Sequence, residues 1–215
     1  MGNADSRKPA VTLTIYGIAR SRAIRTLWMA NELGLDYQHV QVGYGPGGAG
    51  SPAFLAVSPN GRVPVIDDNG LILWESLAIN LYLARCHGGP LAPADLAEDG
   101  QMTSWGFWTA LEIEQHVSTA MYHTQIYDPA DRKPEMVKDA LNKLKAPLDV
   151  LEAHLTEHGY LVGRRFTVAD LNLIGCLFNL RFTPQALADK PHIQAYQQAG
   201  LARPAAQAAW ALRGD

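Results

Sequence analysis

The hydrophobic pattern changes period several times within the first 87 residues. Four short segments combine alternating or β-branched residues with flanking turn residues, which is typical of strands: 11–16, 37–42, 62–66 and 71–74. Asn69-Gly70 between the last two predicts a tight hairpin. Helical spacing follows the first strand up to Gly34 and returns after Ser76, ending at Gly88. The predicted order is β-α-β, an irregular segment, and then β-β-α.

Helical spacing dominates the rest of the chain. No strand pattern follows residue 98, and an apolar stripe runs from Val137 to Leu155. Pro147 lies inside this stripe and predicts a kink or a restart of the helix. Later helices are predicted over 168–180, 191–199 and 204–212. The sequence therefore divides into an α/β domain at 11–87, a linker at 88–98 and an all-helical domain at 99–215.

Composition excludes several classes of function. The 215 residues carry a net charge of −3 without a basic run, which argues against nucleic-acid or anionic-membrane partners. The apolar runs are shorter than the roughly 20 residues of a membrane span. Met1 to Ala10 are polar and lack the apolar stretch of a signal peptide, so we expect a short disordered leader and a cytoplasmic protein. Cys86 and Cys176 lie in helical patterns and are predicted to be buried, reduced thiols.

The first candidate site is the turn after the first strand. Ser21 precedes a predicted helix, where free N–H groups and the helix dipole favour an anion. A serine at this position is also a common helix N-cap, so both interpretations stay open.

Two further segments resemble ligand-binding turns. Proline cannot donate to a sheet ladder, so Val63-Pro64 at a strand start fits an edge or a cis bond, which would turn the backbone of Val63 towards a peptide ligand. Glu75-Ser76 begins a helix and would suit a ligand that carries both an ammonium and a carboxylate group. Helix capping is again the alternative.

Together these segments resemble the cytosolic glutathione transferases. The matching stretches are SRAIRTLW (21–28), SPNGRVPVI (58–66) and LWESLAI (73–79), and the first is most similar to the serine-type, Gtt1-like group of bacteria and fungi. The resemblance implies a thioredoxin-like N-terminal domain, an all-helical C-terminal domain and a homodimer. It further implies glutathione as co-substrate, no metal, and a hydrophobic electrophile as the second substrate.

The resemblance also assigns roles to residues. Ser21 would stabilise the glutathione thiolate, with Tyr16 as a less favoured competitor. The glutathione-binding set would be Asn60, Arg62, Val63, Pro64, Glu75 and Ser76. The electrophile would lie near Tyr16 or against the first helix of the second domain, where Trp105, Trp108 and Glu112 recur roughly on one face, although plain helix packing also explains these aromatic residues. Thr167 and Asp170 match a structural capping box rather than a catalytic site.

Alternatives remain within the same superfamily. Glutathione-dependent peroxidase or isomerase activity would use the same thiolate, and a non-catalytic relative would only bind glutathione. The glycine-rich segment 43–50 departs from the family pattern and is predicted to be a mobile flap. Its glycine spacing matches a dinucleotide fingerprint, but the acids that follow lie in a hairpin turn rather than at the end of a parallel strand.

Overall fold

The computed structural model describes residues 13–214, and its first part is a four-stranded sheet. The strands are β1 (Leu13–Tyr16), β2 (Tyr37–Val40), β3 (Val65–Asp68) and β4 (Leu71–Trp74). Their order is β2-β1-β3-β4, with β2 parallel to β1 and the two remaining pairs antiparallel. The predicted order of strands is confirmed, while residues 11 and 12 of the first predicted strand and the leader at 1–10 lie outside the described residues.

The β3–β4 hairpin has the turn that its sequence predicts. Asn69 and Gly70 both have positive φ angles, 52° and 87°, which is the geometry of a type I′ turn. The N–H of Gly70 donates to Oδ1 of Asp67 at 2.7 Å. Since Asn and Gly tolerate the left-handed region better than other residues, this dipeptide fixes the register of the two strands.

Three helices accompany the sheet: α1 (Ala23–Glu32), the short α2 (Pro52–Leu55) and α3 (Ser76–His87). Gly34 and Gly88 follow the ends of α1 and α3 with φ angles of 62° and 66°. Both glycines therefore end a helix where the sequence predicts it. Helix α2 occupies the segment that was predicted to be irregular, and its cap is Ser51, whose hydroxyl accepts the N–H of Phe54.

The second part of the chain is helical throughout its described residues. Its α-helices are α4 (Leu96–Trp108), α5 (Gln115–Met121), α6 (Pro134–His158), α7 (Val168–Leu177), α8 (Pro191–Leu201) and α9 (Pro204–Ala211). Wider π-helical turns at Thr109–Glu114 and Tyr122–Ile126 follow α4 and α5, and short 3-10 turns occupy Pro129–Asp131, Phe178–Phe182 and Pro184–Leu187. Helix α4 begins inside the predicted linker because the side chain of Asp95 accepts the N–H of Glu98 at 2.8 Å.

Helix α6 continues through Pro147, so the predicted restart does not occur. The helix has 25 residues, and its buried stripe includes Leu144, Leu148 and Leu151 on both sides of the proline. Packing of this stripe offsets the one backbone hydrogen bond that proline cannot donate.

The capping box at the start of α7 is present as predicted. Oδ2 of Asp170 accepts the N–H of Thr167 at 2.7 Å, while Oδ1 accepts the N–H of Leu161 and the hydroxyl of Tyr196. Burial raises the pKa of Asp170, although these hydrogen bonds oppose the effect. The contacts tie α7 to α8 and to the loop before it, which is a structural role.

One hydrophobic core runs through both parts of the molecule. Leu27 and Trp28 on α1 belong to the same buried cluster as Leu171 and Ile174 on α7. The ring of Trp28 also meets that of Trp210 edge-on at 5.4 Å. Helix α1 is therefore packed between the sheet and the helical domain, and its first turn lies where the two domains meet.

Candidate functional site at the domain boundary

The turn between β1 and α1 holds the Ser21 side chain through two hydrogen bonds. Oγ of Ser21 accepts the N–H of Ala23 at 3.1 Å, and the hydroxyl donates to the carbonyl of Ile18 at 2.7 Å. The residue is buried, yet it borders a cavity. The Ser21 hydroxyl thus satisfies an N–H group at the start of α1, whose N-cap is Arg22, and lies at a cavity wall, a position compatible with both interpretations.

This cavity has a volume of about 720 Å³ and lies between the two domains. The α/β domain contributes the start of α1 and a tyrosine of the glycine-rich segment, and the helical domain contributes the ends of α5 and α7. The lining residues are Arg20, Ser21, Arg22, Ile24, Arg25, Tyr44, Ser118, Met121, Tyr122, Gln125, Ile126, Gly175, Phe178, Asn179, Arg181, Phe182 and Arg213. Apolar and aromatic side chains come mainly from the helical domain, while the nucleophile-binding candidate Ser21 comes from the α/β domain.

Val63 and Pro64 lie beside the Ser21 turn. The peptide bond between them is cis, as one of the two sequence interpretations required. A Cβ atom added to Gly17 would lie 3.0 Å from Cβ of Val63, so the glycine allows the two segments to approach closely. Among the described residues, no backbone hydrogen bond involves the N–H or the C=O of Val63. The main chain at Val63 is therefore able to pair with a ligand.

Glu75 adopts an uncommon backbone conformation at the start of α3. Its φ is 68° and its ψ is 108°, in a region that non-glycine residues rarely occupy and that costs of order 1–3 kcal/mol. Ser76 follows with a buried side chain, and Nη1 of Arg25 donates to its hydroxyl at 3.3 Å. Such strain is found most often at ligand sites. The sequence motif identified these two residues but gave no sign of the backbone conformation.

Asn60 and Arg62 are exposed in the loop before β3. The carbonyl of Arg62 accepts the hydroxyl of the buried Ser58 at 3.2 Å, which holds this loop. Within the described part of the chain, the cavity lining includes neither residue, nor Val63, Pro64, Glu75 or Ser76. The structure thus places the predicted glutathione-binding set along the sheet-side approach to Ser21 rather than in the cavity itself.

Tyr16 lies in a different hollow from Ser21. Its ring packs against that of Phe54 at 6.0 Å, and both line a surface depression together with Val40 and Gly43.

Among the described residues, the lining of the Ser21 cavity does not include Trp105, Trp108 or Glu112, which were predicted to hold the electrophile. Trp105 contacts Trp108 at 5.0 Å and His154 on α6 at 4.9 Å, and Glu112 is exposed. Trp105 and Trp108 precede the π-helical turn at Thr109–Glu114, and Glu112 lies within it, so a regular helical projection fails only for Glu112. From this part of the helical domain, the cavity is lined by Ser118, Met121, Tyr122, Gln125 and Ile126.

Comparison with known proteins follows the same division of the chain. A family model described as "Glutathione S-transferase, N-terminal domain" matches residues 11–85, and "Glutathione S-transferase, C-terminal domain" matches residues 116–204. Together they account for more than half of the sequence.

The chain belongs to the glutathione S-transferase family.

Individual relatives agree with this assignment. Glutathione S-transferase 3 of Zea mays is 34% identical to this chain, and the alignment covers 91% of each of the two chains. The probable glutathione S-transferase GSTF2 of Oryza sativa subsp. japonica is 32% identical, over 91% of this chain and 94% of the relative. A solved glutathione S-transferase-I bound with lactoylglutathione superposes with a TM-score of 0.84 at 30% identity, covering 94% of this chain and 99% of that one. The predicted fold and the predicted glutathione transferase activity are therefore confirmed.

A partly buried acid that sequence analysis missed joins the two domains of the transferase beside the cavity. Oε1 of Glu114 accepts Nη1 of Arg25 at 2.8 Å and Nε of Arg22 at 2.5 Å, and Oε2 lies 3.6 Å from Sγ of Cys176. Arg25 in turn reaches Ser76. Gly175 is necessary for this arrangement, because a Cβ atom there would lie 2.8 Å from Cγ of Arg25.

The charge of Glu114 is stabilised by its partners. Burial alone would raise the pKa of this carboxyl group, but the guanidinium groups of Arg25 and Arg22 outweigh burial and hold the pKa below its ordinary value. One feature of the sequence could have pointed to Glu114: it is an acidic residue between Ile113 and Val117, two apolar positions that are buried. Glu114 is therefore ionised and links the turn at Ser21 with the start of α3.

The two cysteines differ in environment. Cys176 is buried as predicted, and burial raises the pKa of its thiol, which is uncharged at neutral pH. Cys86 is exposed, contrary to the prediction, because it lies near the end of α3 where the helix leaves the core.

Over residues 13–214, no group of three or more potential ligands could hold a metal, and no helix is long and apolar enough to cross a membrane.

Proposed function

We propose that this glutathione S-transferase binds glutathione along β3 and the start of α3, stabilises its thiolate at Ser21, and transfers the glutathionyl group by forming a bond between its sulfur and an apolar electrophile in the cavity. The observation that carries the proposal is the position of the Ser21 hydroxyl, at the start of α1 and in the wall of a cavity built by both domains. We assign glutathione to residues 11–87 and the electrophile to residues 99–215, with 88–98 as the linker.

Glutathione is placed by the chemistry of its ends. Its γ-glutamyl ammonium and carboxylate would meet Glu75, Ser76 and the free N–H groups of α3. The unpaired backbone of Val63, next to Pro64, would pair with the cysteinyl residue as an added strand. Asn60 and Arg62, exposed in the same loop, would contact the glycine carboxylate. This orientation directs the sulfur towards Ser21, which lies across Gly17 from Val63.

The helical wall of the cavity supports an apolar second substrate. Met121, Tyr122, Ile126, Phe178 and Phe182 line it, and the guanidinium of Arg181 lies 3.8 Å and 4.3 Å from the centres of the two phenylalanine rings. An apolar molecule gains free energy in proportion to the surface that it buries against such side chains, about 25 cal/mol per Å². The electrophile would therefore lie against the end of α5 and the turn after α7.

The energies required are modest. A cysteine-like thiol has a pKa of about 8.5, and lowering it by about two units takes roughly 2.7 kcal/mol. A hydrogen bond to a charged group contributes about 1.5–3 kcal/mol, and a helix N-terminus about 0.3–1 kcal/mol. Ser21 and the start of α1 can thus supply a free energy of this order.

The experiment is a calorimetric titration with glutathione, followed by a pH titration of thiolate absorbance in the bound state. Wild type is expected to bind glutathione with a thiol pKa well below the free value, and Ser21→Ala to raise that pKa by one to two units, roughly 1.4–2.7 kcal/mol, without abolishing binding. Ser51→Ala, which removes the cap of α2, is the matched control and should leave the thiol pKa unchanged.

Failure to bind glutathione at millimolar concentrations would overturn the proposal. Equal thiol pKa values in wild type and Ser21→Ala would show that Ser21 does not stabilise the thiolate. Turnover of an aromatic halide and of an organic hydroperoxide then separates transferase from peroxidase activity.

We place the enzyme in the serine-type group, and the resemblance of residues 21–28 supports a Gtt1-like position within it. The relatives named above come from plants. A cytoplasmic location is supported by two free thiols, which suit a reducing compartment.

A homodimer is proposed from the family resemblance and from exposed apolar side chains in both domains. Trp74 on the edge strand β4 and Phe107 on α4 are 47% and 67% exposed. Covering such groups is a common reason for association. Sedimentation velocity should show a dimer for wild type and a monomer for Phe107→Glu. Val150→Glu alters an exposed apolar position on α6 and should stay dimeric.

A further inference from the structure

The glycine-rich segment 43–50 forms a closed loop beside the Ser21 turn. Chain pairing continues past the ends of β1 and β2, since Gly17 N–H donates to the carbonyl of Val40 at 2.9 Å and Ile18 N–H to that of Val42 at 3.2 Å. The loop therefore starts directly alongside residue 18, three positions before Ser21. The segment that was predicted to be a flap thus begins where the pairing of these two chain segments ends.

The glycines are needed for the loop to close. N–H groups of Gly48 and Gly50 both donate to the carbonyl of Gly45, and Ala49 N–H donates to that of Gly43. A Cβ atom on Gly48 would lie 2.2 Å from the carbonyl oxygen of Gly43, which no side chain permits. Ala49 is buried and anchors the loop on Phe54 and Val65. The loop thus has a defined shape from which its one large side chain projects.

That side chain is Tyr44, which reaches the cavity from the same domain as Ser21. It lines the cavity together with Ser21 and Arg22, although 70% of its surface is exposed to solvent. Partial desolvation raises the pKa of Tyr44, while contact with the Ser21 hydroxyl and the charge of Arg22 oppose the rise. The phenol is therefore protonated at neutral pH and available as a donor.

Ser21 by itself is an imperfect donor to a thiolate. A hydroxyl has a single proton, and that of Ser21 is directed to the carbonyl of Ile18 at 2.7 Å. Donation to sulfur requires this bond to break, which leaves the carbonyl without its partner. A second hydroxyl with no backbone acceptor of this kind would avoid that loss.

We propose that Tyr44 is a catalytic residue whose hydroxyl donates to the glutathione sulfur and shares the stabilisation of the thiolate with Ser21. The inference rests on the proposed function, since it assumes that glutathione places its sulfur at this wall. On binding, the S–H bond breaks heterolytically, the electron pair stays on sulfur, and the proton leaves to water through the open cavity. Tyr44 keeps its own proton throughout.

The test compares wild type, Tyr44→Phe, Ser21→Ala and the double variant by thiolate absorbance against pH with glutathione bound. Tyr44→Phe should raise the thiol pKa by about one unit. Below that pKa, kcat/KM for an aromatic halide should fall about tenfold, and the two enzymes should converge above it, where the sulfur is ionised in both. The double variant should approach the thiol pKa of free glutathione.

Tyr127→Phe is the matched control, because Tyr127 is a partly exposed tyrosine that stacks on Tyr122 without lining the cavity in the described residues. It should leave the thiol pKa and the pH profile unchanged. Thermal unfolding of each variant checks the fold, which Tyr44→Phe should not alter since its ring is mostly exposed.

The outcomes separate this inference from the proposed function. If wild type fails to bind glutathione or leaves its thiol pKa at the free value, the proposed function fails first. If wild type lowers the pKa, Ser21→Ala raises it, and Tyr44→Phe behaves like Tyr127→Phe, the role of Tyr44 is overturned while the function stands. A rise only in KM for the electrophile would also overturn it, because Tyr44 would then be a wall residue.

Discussion

The two sides of the cavity differ in how they hold their residues. On the sheet side, backbone conformation positions each group: a turn at Ser21, a left-handed φ at Glu75 and a closed glycine loop at Tyr44. On the helical side, side chains such as Ile126 and Phe182 project from helices and short helical turns whose positions depend on packing. A local backbone conformation can be predicted from a short sequence motif, whereas the packing of helices depends on residues that are distant in the sequence.

Glu114 connects the two sides, and its loss should have the largest effect. Replacing the carboxylate in Glu114→Gln leaves the buried guanidinium of Arg25 without a counter-charge, so we expect the free energy of unfolding to fall by about 3 kcal/mol. Glu98→Gln weakens a more exposed pair with Arg165 and should cost about 1 kcal/mol. Urea unfolding at neutral pH measures both, and equal losses would contradict a special role for Glu114.

The ion pair of Glu114 and Arg25 should make the free energy of unfolding depend on pH. The folded pKa of Glu114 lies below its unfolded value, so the stability it contributes is present above the unfolded pKa and is lost as the pH falls through the folded one. The difference in unfolding free energy between wild type and Glu114→Gln should therefore be largest at neutral pH and should decrease at acidic pH. A constant difference across this range would show that packing rather than charge causes the loss.

Alanine variants in the glycine-rich loop test whether backbone conformation holds the sheet side of the cavity. Gly48→Ala places a methyl group 2.2 Å from the carbonyl oxygen of Gly43, so the loop must open at a cost of about 2 kcal/mol. Gly47→Ala is the neighbouring control, since no atom lies within 4 Å of its added methyl group and its φ is not positive. It should change unfolding by less than about 0.5 kcal/mol. Similar urea midpoints for the two variants would contradict the closed loop.

A smaller effect is expected on the helical wall. Ile126→Ala removes apolar surface from the electrophile site and should lower kcat/KM for an aromatic halide about fivefold, roughly 1 kcal/mol. KM for glutathione should not change, because glutathione is assigned to the other domain. Glu112→Ala, at an exposed position outside the cavity, should leave both constants unchanged. An effect of Glu112→Ala equal to that of Ile126→Ala would restore the electrophile face predicted from sequence.

The smallest change is expected at Tyr16. Its ring packs with Phe54 in a separate hollow, so Tyr16→Phe should shift the pKa of the bound thiol by less than about 0.3 unit. A shift as large as that of Ser21→Ala would make Tyr16 the principal donor.

Sequence reasoning therefore succeeded unevenly, for physical reasons. Asn69-Gly70, Gly34 and the Thr167–Asp170 box each encode a local conformation, and the structure has all three. The helical side was harder because the residues that line the cavity come from separate helices and turns that only packing brings together, while Trp105 and Trp108 pack on each other. Glu114 was missed because only the folded chain brings it to Arg22 and Arg25.

The hydrogen-bonded shape of the glycine-rich segment was also not predictable from the sequence. Composition alone does not distinguish a flexible linker from a loop whose backbone atoms approach too closely for any side chain. Gly48 shows the second case, and the distinction appears only with the position of Gly43.

The shared core at α1 has a mechanical consequence. Leu27 and Trp28 have their apolar neighbours in the helical domain, so separating the two halves would expose the interior of both. The molecule should accordingly melt in a single cooperative transition, with calorimetric and van't Hoff enthalpies in agreement. A chain cleaved at the linker would yield fragments that stay associated, and opening the cavity by hinge motion would carry the energetic cost of partial unfolding.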